Sequence, residues 1–184
     1  MDRKAIRVGA IGAVVVSALA GTLWLGGGMR VHAQAQAPAA DPEDIAEGMS
    51  IFRTKADCQT CHGWAADGRK MDTQMPDAPS LRTTRLGRAG IIYAIKCGRP
   101  GRGMPAFDRQ AYKDPSRCMN LTEADLKKNN QELVDPAATL QPREIEMVAD
   151  FLFAKVIGKG PMDHAKCVEY WGSEQEVCDS EFPK

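Results

Sequence analysis

The 184-residue sequence is short of most signals that would suggest a sheet protein, a repeat array or a multi-pass membrane protein. No stretch alternates apolar and polar residues over a useful length, which argues against strands as the main element. No internal repeat is visible, and beyond Met29 no apolar run approaches the roughly 20 residues needed to cross a bilayer. Charge of one sign is lacking too: 24 basic residues meet 24 acidic ones, which gives nucleic acid little to hold. Histidine is scarce, with only His32, His62 and His164 in the whole chain. A zinc site would therefore need a second closely spaced cysteine pair beside the one at Cys58 and Cys61, and there is none.

What is present begins with the first 35 residues. Arg3, Lys4 and Arg7 precede an apolar run from Val8 to Leu25, and small residues follow at Val31, Ala33 and Ala35. Charged start, apolar middle and small-residue end are the order of a secretory signal, cut after Ala33 or, preferably, Ala35. The length of the run leaves an uncleaved anchor as the alternative, and membrane contact is expected only in that case. Both readings export the remainder of the chain, to the periplasm of a bacterium. Cleavage after Ala35 leaves 149 residues with 20 basic and 23 acidic side chains, a net charge of −3. The distribution is uneven, since residues 82–109 hold seven basic side chains and only Asp108 against them.

The chemistry is concentrated in Cys58-Gln59-Thr60-Cys61-His62. Two thiols three positions apart, just after a helix, can each add to one vinyl group of the same haem, and the adjoining imidazole then becomes an axial ligand. A thioredoxin-like redox pair would want a βαβ setting, which the sequence does not offer. Helical periodicity surrounds the motif. Pro42 to Lys55 returns Ile45, Met49 and Phe52 to one face, Arg88 to Lys96 presents Ile91, Ile92 and Ile95, and Pro142 to Lys155 presents Ile145, Val148, Phe151 and Leu152.

In this order of elements, from about Asp41 to Val156, the chain resembles the class I c-type cytochromes: an N-terminal helix, the haem motif, a Pro-x-Leu segment, a middle helix, a Met-Pro loop and a C-terminal helix. The resemblance implies an all-α, class I cytochrome c fold around one covalently bound haem c, with Gly48 and Phe52 crossing Val148, Phe151 and Leu152. It also implies that the Pro79 carbonyl of Pro79-Ser80-Leu81 accepts a hydrogen bond from the His62 ring nitrogen that does not bind iron, fixing the ring.

The sixth iron ligand decides between a carrier and an enzyme. Thioether sulfur is soft, favours ferrous iron and closes the metal to substrates. Met104 is the leading candidate, 42 residues after His62 in the loop Arg99-Pro100-Gly101-Arg102-Gly103-Met104-Pro105. Such a Met-Pro loop before the last helix holds the ligand in the resembled family. Met75, also followed by Pro, and His164 are the rivals.

Four cysteines remain, and an oxidising compartment predicts their pairing. Of three connectivities, Cys97 with Cys118 and Cys167 with Cys178 is the most local; the first would close a loop containing Met104. The stretch from Asp114 to Pro136 reads as a polar surface insertion with a helical turn or two from Thr122. The expected organisation is a signal at 1–35, a cytochrome c domain at 36–157 and a disulfide-linked extension at 158–184. Its expected work is electron transport between redox proteins, a dehydrogenase or quinol-oxidising complex on one side and an oxidase or reductase on the other. The alternatives are a dedicated cytochrome subunit of a periplasmic dehydrogenase and, further off, a haem peroxidase, which would need a second pair of acid and base groups that the sequence does not show.

Overall fold

The computed structural model describes residues 40–184, so the signal or anchor at 1–35 and its cleavage site lie outside the described residues. Proline opens the first helix. The Asp41 carboxylate accepts a hydrogen bond from the Glu43 amide at 2.8 Å, and Pro42, with no N–H to satisfy, takes the first turn of α1, Pro42–Ser50. The helical path continues to Lys55 as the periodicity predicts, but its last turn widens into a π turn, Ile51–Lys55. There the Ala56 amide donates to the Ile51 carbonyl five residues back, at 2.9 Å. Ile51 and Phe52 are both buried.

Four further helices complete the central arrangement: α2 at Gln59–His62, α3 at Arg88–Cys97, α4 at Glu123–Lys128 and α5 at Pro142–Lys155. Among the described residues there is no strand, only an isolated antiparallel bridge between Arg99 and Met104. The fold is all-α. None of the described helices is long and apolar enough to cross a membrane.

The crossing of α1 and α5 organises the core. A Cβ built on Gly48 would lie 2.0 Å from the Met147 carbonyl oxygen and 3.0 Å from the Phe151 Cβ, so the absence of a side chain lets the two backbones touch. Phe52 and Phe151 pack beside the crossing with ring centroids 5.5 Å apart, both under 2% exposed. Burying each such ring contributes on the order of 2–3 kcal/mol. Ion pairs Asp44–Arg143 and Lys55–Glu144 tie the same helices. Glu144 also accepts from the Gln141 amide at 2.7 Å, closing the start of α5. Arg88, in the first turn of α3, reaches Glu146 and Asp150 of α5.

The insertion is less superficial than its polarity suggests. Thr122 and Asp125 form a reciprocal cap that starts α4. Leu126 then joins Tyr112, Ala106, Ala111 and the Cys97–Cys118 disulfide in a small second core. The Tyr112 hydroxyl donates to the Cys97 carbonyl at 2.7 Å. With its cysteines 21 positions apart in sequence, this bridge removes enough unfolded-chain entropy to contribute about 3 kcal/mol.

The tail forms α6, His164–Trp171, and α7, Glu176–Glu181, joined by the Cys167–Cys178 disulfide. Both cysteines and Tyr170 belong to the main core. Trp64, two residues after His62, stacks on Trp171 at 5.8 Å and meets Tyr170 and Phe182 edge-on. The Tyr170 hydroxyl donates to the Trp64 carbonyl at 2.7 Å. Burial raises the Tyr170 phenol well above its ordinary range, so it stays a donor at any working pH. Removing that hydroxyl in Tyr170→Phe leaves the Trp64 carbonyl unpaired; a loss of about 1–2 kcal/mol in urea unfolding is expected, with no change in helix content.

Candidate functional site

The cysteine pair is placed by the end of the π turn. The Cys58 amide donates to the Phe52 carbonyl at 2.9 Å, and Asp57 turns the chain with a left-handed φ of 48°. That turn lets Cys58 precede the single-turn helix α2, whose bond from the His62 amide to the Cys58 carbonyl, 2.9 Å, brings the histidine one turn beyond the first cysteine. Chain exit is equally fixed, because the Gly68 amide returns to the His62 carbonyl at 2.8 Å and the Leu81 amide to the Ala66 carbonyl at 2.9 Å.

These returns carry Pro79 to the imidazole. His62 Nδ1 lies 3.0 Å from the Pro79 carbonyl oxygen. A carbonyl only accepts, so Nδ1 carries the proton and Nε2 keeps a free lone pair. The ring is 9% exposed. Burial lowers its affinity for a proton, with the Pro79 bond opposing in part, so the neutral ligand form is favoured near neutrality.

The two thiols are set apart from the other cysteines. Cys97, Cys118, Cys167 and Cys178 form the two disulfides that are the most local of the possible pairings, while Cys58 and Cys61 stay free. Burial pushes the Cys58 thiol up to about 12, and Cys61 is also raised, by burial first and then by Asp57. Two thiols outside both disulfides, three positions apart and beside an imidazole whose Nδ1 is tethered, fit the attachment of haem.

Met104 is held by separate contacts. The Arg99 amide donates to the Met104 carbonyl at 2.9 Å, and the Gly101 amide to the Glu132 carbonyl of the insertion at 2.8 Å. Gly103 has a φ of 79°, and a Cβ there would sit 2.8 Å from Pro76 Cγ, so the Met75-Pro76 segment rests against this loop. The Cys97–Cys118 bridge adjoins the loop's start. Met104 is half-buried and Met75 is 38% exposed. His164, the other rival, turns its Nε2 to Asp179 and Glu174 in the tail.

Residues 43–116 match the family described as cytochrome C oxidase, cbb3-type, subunit III. This stretch is a c-type cytochrome domain of class I. No curated protein and no solved structure matches the chain. The matched stretch of the cytochrome domain runs from α1 through the free thiols, His62, Pro79 and Met104 to the loop before Cys118, and it makes this an electron-transfer haem protein.

Parts of the site escape sequence reasoning. The basic run from Arg82 to Arg109 is not one surface: Arg82 is 3% exposed and donates to the carbonyls of Gly160 and Ala65, tying the tail to the haem-motif loop. Arg88 is spent on α5. Arg85, Lys96, Arg99, Arg102 and Arg109 have no ion-pair partner among the described residues. The support of Met104 by Glu132, and of Trp64 by the tail, has no short-range signal that could have announced it.

Proposed function

We propose that the cytochrome is an exported one-electron carrier with a single haem c, joined through thioethers at Cys58 and Cys61 and ligated by His62 and Met104. The haem, when bound, supplies an iron that cycles between ferrous and ferric. The chain's own residues hold and protect it. The observation that carries this reading is the His62 geometry: Nδ1 donates to Pro79 and a neutral Nε2 is left for iron. Pro79 increases the ring's basicity and keeps it from turning. Met104, in the braced loop at Arg99–Pro105, would supply the thioether sulfur as the second protein ligand, which would raise the potential and exclude peroxide and other small ligands. No substrate is transformed, so the protein is a carrier and not an enzyme in its own right.

The free basic groups nearest Met104 in sequence, Arg99, Arg102 and Arg109, are exposed. They favour an acidic partner face and act mainly on the rate of encounter. Replacing Arg99 and Arg102 by Gln is expected to slow electron exchange with an acidic redox partner and to flatten its dependence on ionic strength, measured by stopped flow, while leaving the potential nearly unchanged.

A second reading is supported by the description of the matched family as an oxidase subunit: the chain would then serve as the dedicated cytochrome subunit of a larger oxidoreductase, an oxidase or a periplasmic dehydrogenase. Spectroelectrochemical titration tests the first reading. A single one-electron curve, together with a protein that purifies alone from its native membrane-free extract, supports the carrier; stable co-purification with a catalytic subunit supports the second.

A further inference from the structure

Outside the cytochrome site, the tail brings three metal-binding side chains to one point. His164 Nε2 lies 3.0 Å from Asp179 Oδ1 and 3.6 Å from Glu174 Oε2, and the donor atoms of all three lie within 4.8 Å of one another. Metal–nitrogen and metal–oxygen bonds of roughly 2.0–2.2 Å place neighbouring donors about 3–3.5 Å apart. The imidazole–carboxylate separations are therefore already close to those of a coordination face.

The donors come from three segments: His164 opens α6, Glu174 lies in the connection and Asp179 lies within α7. The Cys167–Cys178 disulfide fixes the two helices to each other one residue from Asp179. That cross-link removes much of the ordering cost that a site built from separate segments normally carries. The His164 side chain is only 14% exposed, while Glu174 and Asp179 are 57% and 63% exposed. The nitrogen donor is thus largely enclosed and the two carboxylates are open to solvent.

Charge favours a cation as well. Two carboxylates converge on one imidazole, and among the described residues the only cationic side chain besides His164 paired with either is Lys184, whose Nζ lies 3.3 Å from Oε1 of Glu174. We propose that His164, Glu174 and Asp179 bind one borderline divalent cation, with zinc the representative ion. The imidazole nitrogen sets the class: calcium and magnesium prefer all-oxygen shells, whereas zinc accepts one nitrogen and two carboxylates and completes its shell with water. Lys184 competes with the ion for Glu174.

Equilibrium dialysis of the haem-loaded, disulfide-intact chain against zinc chloride tests this. One zinc per chain is expected, with an unchanged haem spectrum and a raised unfolding temperature. His164→Ala should weaken binding about tenfold or more, Lys184→Ala should tighten it, and calcium should not replace zinc. Glu174→Gln and Asp179→Asn, both at exposed positions, test the site independently should His164→Ala fail to fold. Failure of zinc to reach one per chain at roughly micromolar free ion, or equal binding by all three ligand variants and wild type, would overturn the proposal.

Discussion

Replacing both Cys58 and Cys61 by alanine is expected to abolish haem retention: after extraction with acidified acetone, the variant should show no haem on a denaturing gel or in a pyridine haemochrome assay. Replacing Cys97 and Cys118 in the same way should leave the haem signal intact and cost about 3 kcal/mol of stability instead. The contrast follows from where the structure places the six cysteines. Four are consumed in two disulfides, and the remaining two are free thiols one helical turn apart with His62 beside them. Those two thiols have no other covalent role in the fold. Loss of haem from the disulfide variant, or retention by the Cys58/Cys61 variant under denaturing conditions, would remove the basis for the proposed attachment.

Gly48→Val carries the largest expected effect on folding. Its Cβ would meet the Met147 carbonyl at 2.0 Å, and the obstacle is backbone, which cannot swing away as a side chain would. The variant must push α1 from α5, opening the Phe52–Phe151 contact and straining the ion pairs at either end. A loss of about 3 kcal/mol or more is expected from the denaturant midpoint, at the upper end of overpacking costs. Gly90→Ala provides a control of opposite sign. It lies within α3, and its new methyl meets nothing nearer than Leu86 Cδ2 at 3.4 Å, so it should stabilise the protein by about 0.5–1 kcal/mol through helix propensity. Equal stability for Gly48→Val and wild type would show that the helix crossing is not the organising contact.

These two predictions rest on features of different legibility. The two helices were readable from apolar periodicity, with a glycine on the facing side of the first, and their crossing was implied by the resemblance to the class I family; α5 begins and ends at the predicted residues. The cysteine–histidine motif was readable because its spacing is local. The π turn at Ile51–Lys55 was not, since a hydrogen bond shifted by one residue leaves no mark in composition. Long-range support was equally hidden. Nothing near Trp64 announces that Tyr170, 106 residues on, will bond its carbonyl, nor does the buried Leu126 stand out in a stretch dominated by charge. Arg82 belongs to the basic stretch at 82–109 yet is an internal clamp, because a guanidinium can enter the interior when carbonyls receive its donors.

The same distinction applies to iron ligation. His62 can be argued from its own hydrogen bond, whereas Met104 rests on its loop, on the bracing by Glu132 and on the resemblance to the class I family. Met104 is therefore the residue on which the carrier reading turns. An absorption spectrum of the ferric, disulfide-intact protein, made in a host that attaches haem, tests it directly through the weak red-end band that arises when thioether sulfur binds ferric iron. The band is expected in wild type and in Met75→Ala and should vanish in Met104→Ala, with a lowered potential. A wild-type protein that lacks the band and takes up cyanide or peroxide readily would have an open iron, and the carrier assignment would be contradicted.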